Sequence, residues 1–377
     1  ESFKTDQTFA SIYIPSTVTQ LGSSVPSVFG TVAHPELAVA GNLKEVTVSP
    51  DNSVYKSADG AVYSKDGKIL LFCPAGKKGS FAISGGTESI GDFAFMHSAL
   101  SHVEFPDTLS YIGVHAFYKT EIVNVEIPGS VTTIGNNAFF NNTSLQAVEI
   151  GNGVKRIGDS AFSLCNKLAG VVVPESVEYI GKHAFDELGT FIRIEGTDVE
   201  IAKEAFSNLY SIIVYGHTGS TAEAYVENDN ETNPDSKLRF VSIEQSIKVT
   251  DIELNVSSVV LNKKETFNAA ATVLPENATV KTLVWSSKDP SIATVTQNGL
   301  VTAVKEGTVE IVVKSPDGAS AILSVTVTDD GTVSDFVVND EGIILEYHGD
   351  EESIVIPRTV NGIDVTGIGD GVFQKNK

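Results

Sequence analysis

Hydrophobic positions along this chain recur with a long period. The phrase Ile-Gly-x-x-Ala-Phe appears at Ile90 to Phe95, Ile112 to Phe117, Ile134 to Phe139, Ile157 to Phe162 and Ile180 to Phe185, with a degraded copy at Ile201 to Phe206. The spacing of 21 to 23 residues lies in the range of stacked repeats. Nine residues before each isoleucine stands a β-type triplet: Phe81-Ala82-Ile83, Val103-Glu104-Phe105, Val125-Glu126-Ile127, Val148-Glu149-Ile150, Val171-Val172-Val173 and Ile192-Arg193-Ile194, followed later by Ile212-Ile213-Val214. Each unit therefore predicts a strand, a turn and a short helical corner. Alternation along a strand points the first and third residues of the triplet inward and the middle one outward. Pro106, Pro128 and Pro174 end their strands, because proline has no N–H for a neighbouring ladder. The recurring phenylalanines are expected to stack as a core spine.

Outside the regular array the pattern changes. Ile12-Tyr13-Ile14-Pro15 followed by Leu21-Gly22 repeats the same offset, which places the first residues in the solenoid. From Leu43 to Gly76 the spacing breaks into short strands at Val46 to Val48, Ala61 to Tyr63 and Ile69 to Leu71, with Asp-Gly turns that tolerate positive φ. Ser220-Thr221-Ala222-Glu223 reads as a capping box opening a helix over the last coil, and the acidic run Glu227 to Lys237 as a surface loop. A last strand is expected at Phe240 to Ile243. Between residues 248 and 329 only β-type periodicity remains, at Glu265 to Leu274, Leu283 to Ser286, Ile292 to Val295, Leu300 to Ala303, Val309 to Lys314 and Ala321 to Val327. That spacing predicts a β-sandwich, with Trp285 in its core. After Gly331 the first pattern returns at Ile354 to Pro357 and Ile368 to Phe373. One coil cannot bury its own face, so a second array is expected to continue past residue 377. The domains read from the chain are thus 1–245, 246–329 and 330–377.

The units Val125 to Phe139 and Val148 to Phe162 resemble the BspA-like leucine-rich repeat family. That family pairs a strand ending in Ile-Pro with an Ile-Gly-x-x-Ala-Phe corner and an asparagine or cysteine before the next leucine, here Asn142 or Cys165 ahead of Leu145 or Leu168. The likeness covers about residues 1–245 and 332–377. The segment from Val284 to Val295, continuing through Asn298 to Ala303 and Gly307-Thr308, is similar to a group 2 bacterial Ig-like domain. Together these imply a mainly β protein, a right-handed leucine-rich-repeat solenoid with short helical corners plus an Ig-like β-sandwich. They imply a secreted or surface-attached bacterial protein that adheres to host or bacterial macromolecules.

Composition narrows the partners. The chain carries a formal charge of −22 over 377 residues, a field that repels nucleic acids and anionic lipid surfaces. No apolar run reaches the length of a membrane span, so no membrane insertion is expected in this segment. Cys73 and Cys165 lie four coils apart, roughly 19 Å at the spacing of stacked strands, which is beyond disulfide reach. Both are expected to be buried free thiols. His115 and His183 share one repeat position, and no metal-ligand spacing, nucleophile elbow or phosphate loop appears. Neither a catalytic site nor a cofactor or metal is therefore expected. The outward triplet residues Glu104, Glu126 and Glu149 are expected to form a column of carboxylates, followed by a mixed apolar and basic patch of Val172, Arg193 and Ile213. Glu104, Glu126, Glu149, Val172 and Arg193 are the candidate ligand-binding residues. The function read from the chain is binding of an extracellular protein or glycan. A mechanical stalk, or an accessory module of a glycan-degrading enzyme, is the alternative.

Overall fold

The protein is described by a computed structural model over residues 10–21, 42–189, 191–206, 212–328, 336–339, 341–347, 356, 359–360 and 363–373. It contains two compact units: residues 1–250 with 275–284 and 315–319, and residues 251–274, 285–314 and 320–377.

In the first unit each repeat contributes two strands. The isoleucine that opens each corner phrase ends a two-residue strand: Ser89–Ile90, Tyr111–Ile112, Thr133–Ile134, Arg156–Ile157, Tyr179–Ile180 and, in the degraded copy, Glu200–Ile201. These pair in parallel, in register, and continue through Ile69–Phe72, Ala61–Ser64 and Tyr55–Ala58 into one nine-stranded sheet. The hairpin between the last two strands turns on Asp59 and Gly60, both at positive φ (47° and 71°), the geometry that an Asp-Gly pair supplies. The triplets form the other flank, divided into three ladders: Lys78–Ala82 with Ala99–Glu104, Asn124–Ile127 with Ala147–Ile150, and Gly170–Val173 with Phe191–Ile194, Ile212–Gly216 and Leu238–Ser242. Ser11–Ile14 and Glu45–Val48 pair separately.

The corners are turns rather than the short helices expected from the Ala-Phe phrase. In each coil two residues four apart lie in the left-handed region: Phe93 and His97, His115 and Lys119, Asn137 and Asn141, Ser160 and Leu164, His183 and Glu187. A helix would turn its amides back onto its own chain. The paired left-handed residues instead aim N–H groups along the stack. The recipients are carbonyls of the next coil: Phe95 N–H to Ala116 at 2.8 Å, Phe117 to Ala138 at 2.7 Å, Phe139 to Ala161 at 2.8 Å and Phe162 to Ala184 at 2.8 Å. Coil-to-coil bonding replaces intra-helical bonding, so the buried backbone is satisfied without a helix. The glycine after the isoleucine of the five full copies makes the close approach possible. A Cβ on Gly135 would stand 2.8 Å from the Gly113 carbonyl carbon.

The core follows the repeat. Phe95, Phe117, Phe139, Phe162 and Phe185 stack with centroid spacings of 4.7, 4.9, 5.1 and 5.5 Å and interplanar angles no larger than 8°. Phe206 ends the spine tilted by 35° and receives the edge of Tyr225 at 5.1 Å. Tyr225 belongs to the α-helix Thr221–Thr232, the one α-helix among the described residues. Burial pushes its hydroxyl pKa up to about 12, against the opposing influence of the nearby Phe206 and Ala205 backbone. Ser220 caps the helix by accepting from Glu223 N, while the Glu223 carboxylate accepts from Gly219 N at 2.6 Å. The helix runs through part of the acidic segment expected to be a loop, because Ala222, Tyr225 and Val226 repeat at helical spacing against the last coil. Its length and polarity are far from those of a membrane span.

Asn142 and Cys165 occupy equivalent buried positions. Asn142 accepts from the Thr120 amide and hydroxyl at 2.7 and 2.6 Å and donates to the Phe117 and Phe139 carbonyls at 2.8 Å each. Cys165 Sγ donates to Phe139 O at 3.2 Å. Cys73 and Cys165 are both free and buried, and desolvation pushes each thiol up to about 12, which keeps them unreactive.

The second unit holds a four-stranded sheet (Ser258–Asn262, Ser320–Thr328, Gly307–Lys314, Val284–Ser287) and a three-stranded sheet (Thr266–Asn268, Leu300–Ala303, Ala293–Val295), with Asp251–Leu254 paired to Ala271–Leu274. The expected strand at 265–274 is two strands here, and those at 251–254 and 258–262 were not read from the pattern. Trp285 is buried as expected, its amide and carbonyl both held by the Gln297 side chain at 3.0 and 2.9 Å. Near the C-terminus Phe336, Ile344, Tyr347, Val360 and Val372 form a small core. The expected strand Ile354 to Ile356 falls mostly on residues outside those described.

Candidate docking faces of the solenoid

Alternation makes Glu104, Glu126 and Glu149 point outward, and all three are exposed. Glu126 and Glu149 are direct partners in one parallel ladder, so their backbones lie about 4.8 Å apart. Glu104 lies in the neighbouring ladder, opposite Ala82. The three carboxylates thus occupy one flank on coils 22 and 23 residues apart, as expected, in two ladders rather than one. Among the described residues no group of three or more His, Cys, Asp and Glu is arranged to hold a metal ion.

The expected apolar and basic continuation is a different object. Val172 pairs with Arg193, and Arg193 pairs with Tyr215 rather than with Ile213, whose partner is Phe191. The triplet Ile212-Ile213-Val214 is offset by two residues, because Val214 and not Ile212 sits beside Ile192. Arg193 is 4% exposed, paired with the Glu195 carboxylate and with Asp317 Oδ1 at 2.6 Å. Asp317 also accepts from the Val249 amide at 2.8 Å. Around this pair Phe191, Tyr215, Ile243 and Val280 are buried, with Val172, Ile213, Val241 and Val284 packed against them. Segments 275–284 and 315–319 belong to the solenoid unit and cover this stretch of the triplet flank. A guanidinium so buried needs its two carboxylates to offset desolvation. Arg193 is therefore a structural cation here, closed to a ligand, and Val172 lines the same apolar seam.

On the opposite flank a row escaped the sequence reading: the residue before each corner-phrase isoleucine, preceded by Ile69 on the adjoining strand. Ile69, Ser89, Tyr111, Thr133, Arg156, Tyr179 and Glu200 are register partners in turn across the continuous sheet. Arg156 lays its guanidinium 3.9 Å over the Tyr179 ring. Burial, then the Asp92 charge, raises the Tyr111 hydroxyl pKa. The signal was present in the spacing, one residue before a conspicuous motif. At the corners His115 stacks on Phe93 at 4.9 Å and 5°, and burial lowers its pKa against the opposing Asp92 charge. His183 at the equivalent position instead contacts Asp186 at 2.7 Å.

Comparison with known proteins agrees with these two kinds of structure. Residues 88–213 match the sequence model of the BspA type leucine rich repeat region in six copies, and residues 248–333 that of the bacterial Ig-like domain, group 2. An uncharacterised protein of Clostridium acetobutylicum is 32% identical over 121 residues, 30% of this chain and 29% of that protein. An alpha-L-arabinofuranosidase of Bifidobacterium longum subsp. longum is 39% identical over 84 residues, 21% of this chain and 8% of the enzyme. A solved leucine rich cell surface protein of Faecalibacterium prausnitzii aligns with a TM-score of 0.36 at 24% identity, covering 57% of this chain and 50% of that one. The chain spans less than a third of the length of either of the two sequence relatives. Neither matching model describes a catalytic domain. The stacked coils with their Ile-Gly-x-x-Ala-Phe corners and the paired β-sheets around Trp285 identify a chain that carries a BspA-type leucine-rich repeat region followed by a group 2 bacterial Ig-like domain.

Proposed function

We propose that this chain is an extracellular or cell-surface binding protein whose solenoid docks a basic segment of another macromolecule on the flank bearing Glu104, Glu126 and Glu149. The observation that carries the reading is the register of Glu126 on Glu149, two exposed carboxylates held side by side by parallel pairing. Like charges fixed at that spacing form a negative strip that a lysine or arginine of a partner relieves. Both matching families support a surface role for the chain, with adhesion to a host or bacterial protein as its outcome. The test is binding of the purified chain to immobilised matrix proteins and bacterial surface preparations over a range of salt. Affinity that falls with salt, and falls again in the Glu104→Gln/Glu126→Gln/Glu149→Gln variant, supports the reading. Equal affinity of that variant for every ligand found sinks it.

A second reading has its own observation. The match to the arabinofuranosidase occupies 8% of that enzyme, the proportion of an appended module. In this reading the chain positions a glycan-degrading catalytic domain, and binding to that enzyme's polysaccharide rather than to protein distinguishes it.

A further inference from the structure

The row on the nine-stranded sheet differs from its surroundings in hydrogen bonding. Hydroxyls flanking it are committed to the preceding coil: Thr108 Oγ1 donates to Thr87 O at 2.7 Å, Ser110 Oγ to Glu88 O at 2.9 Å, Thr132 Oγ1 to Ser110 O at 3.1 Å and Ser176 Oγ to Val154 O at 2.9 Å. Within the row, the side-chain hydroxyls of Ser89, Tyr111, Thr133 and Tyr179 make no hydrogen bond to the described residues. Four uncommitted hydroxyls, two of them on aromatic rings, therefore stand on consecutive or nearby strands of one rigid sheet. Tyr111 has a small hydroxyl residue on each side, Ser89 and Thr133, which leaves room beside its ring.

Three ion pairs between neighbouring coils cancel charge on this flank. Lys68 meets Glu88 at 2.7 Å, Lys155 meets Glu178 at 2.9 Å and Lys182 meets Glu204 at 2.9 Å. Arg156 is held on Tyr179, and Glu200 follows one strand later in the same row. A chain with a net charge of −22 thus has, among its described residues, a face on which lysines and glutamates of neighbouring coils pair. A charged partner gains little there, and an uncharged, hydroxyl-rich one loses little.

We propose that the row Ser89, Tyr111, Thr133, Arg156 and Tyr179 binds an extended neutral oligosaccharide lying along the stack of coils. The Tyr111 ring, and the face of Tyr179 turned away from Arg156, offer apolar surface to the C–H faces of sugar rings, and the row's hydroxyls and the outer N–H groups of Arg156 pair with sugar hydroxyls. Strands repeat at about 4.8 Å, close to the advance of one pyranose ring along an extended chain, so successive rings meet successive strands. Tyr111 and Tyr179 lie three strands apart, about 14 Å, and a ligand must span several rings to reach both. Single sugars accordingly bind far more weakly than chains. The site lies on the flank away from the triplets and does not depend on the acidic face.

The experiment is native gel electrophoresis of the whole chain through gels containing hydroxyethylcellulose, xyloglucan or galactomannan. Retardation in at least one gel is expected, unchanged by added salt. Tyr111→Thr, which places there the residue the next strand carries, keeps the repeat's own chemistry and is expected to weaken binding about tenfold, the scale of one stacking contact. Tyr111→Phe keeps the ring and is expected to lose less. The variant Glu104→Gln/Glu126→Gln/Glu149→Gln is expected to bind the glycan as the native chain does, which separates this site from the acidic one. No retardation in any of the three gels overturns the proposal. So does retardation that both Tyr111→Thr and Tyr179→Thr leave unchanged, or a ligand screen in which these two variants lose a protein partner and no glycan.

Discussion

On the short-strand flank of the solenoid, charges of opposite sign meet from coil to coil, while on the triplet flank Glu126 meets Glu149. The first flank is one uninterrupted sheet of nine strands, and the second is three separate ladders. Both are built from the same repeat and share the same phenylalanine spine. The difference in charge lies in outward positions, which stacking leaves free. Inward residues therefore report the fold, and the contrast between two outward rows reports what each flank is suited to meet.

The largest effects are expected where both flanks depend on one element. Phe139→Ala removes a ring stacked 4.9 Å from Phe117 and 5.1 Å from Phe162. Loss of about 3 to 5 kcal/mol is expected in urea unfolding. Hydrogen exchange in that variant should accelerate on the strands of both flanks. Acceleration confined to one flank would show that the spine is not their common support.

Arg193→Ala tests the covered end of the triplet flank. It leaves Asp317, whose side chain is 1% exposed, without its cation, at a cost of about 3 to 5 kcal/mol. Adding Asp317→Asn is expected to restore part of that loss. A double variant less stable than Arg193→Ala would contradict the pairing.

Gly135→Ala acts first on the other flank. The new Cβ would meet Gly113 backbone atoms 2.8 to 2.9 Å away, so coils must separate there. A loss of about 1 to 3 kcal/mol is expected, with faster exchange at Tyr111–Ile112 and Thr133–Ile134 than at Asn124–Ile127. The reverse order would mean that the triplet ladders, not the short strands, set the coil spacing.

How much of this was legible follows the same division between inward and outward. The inward period of Ile, Ala and Phe gave the stacked coils, the spine and the buried cysteines, because each coil must repeat its apolar side chains to bury them. Trp285 was legible for the same reason. The corners were misread, since Ala-Phe is helix-compatible and only coil-to-coil bonding of amides such as Phe117 N–H selects left-handed residues at His115 and Lys119. Arg193 was misread because its burial depends on Asp317, 124 residues later. The two-residue offset at Tyr215 was hidden by the local similarity of Ile212-Ile213-Val214 to earlier triplets. The Tyr111 row was in plain view but lacks a triplet to mark it as a strand.

The smallest expected effects are also the most direct comparison of the flanks, because they have opposite signs. Two exposed charges about 5 Å apart repel by roughly 0.8 kcal/mol in water before screening. Glu126, beside Glu149 and on the same flank as Glu104, is therefore expected to be a site where Glu126→Gln stabilises, by a few tenths of a kcal/mol up to about 1 kcal/mol at low salt. On the other flank Lys155→Gln leaves Glu178 without its partner at 2.9 Å, a pair with both side chains more than half exposed. That change is expected to destabilise by about 0.2 to 1 kcal/mol. Salt reduces both effects toward zero, since screening acts within about 10 Å at 0.1 M. Thermal melts of the two variants at low and high salt make the measurement: one melting point above the native chain, the other below, converging as salt rises. Destabilisation by Glu126→Gln at low salt would mean that the carboxylate is held by an attractive contact stronger than its neighbour's repulsion, and the acidic strip would then cease to be the place where a basic partner gains most.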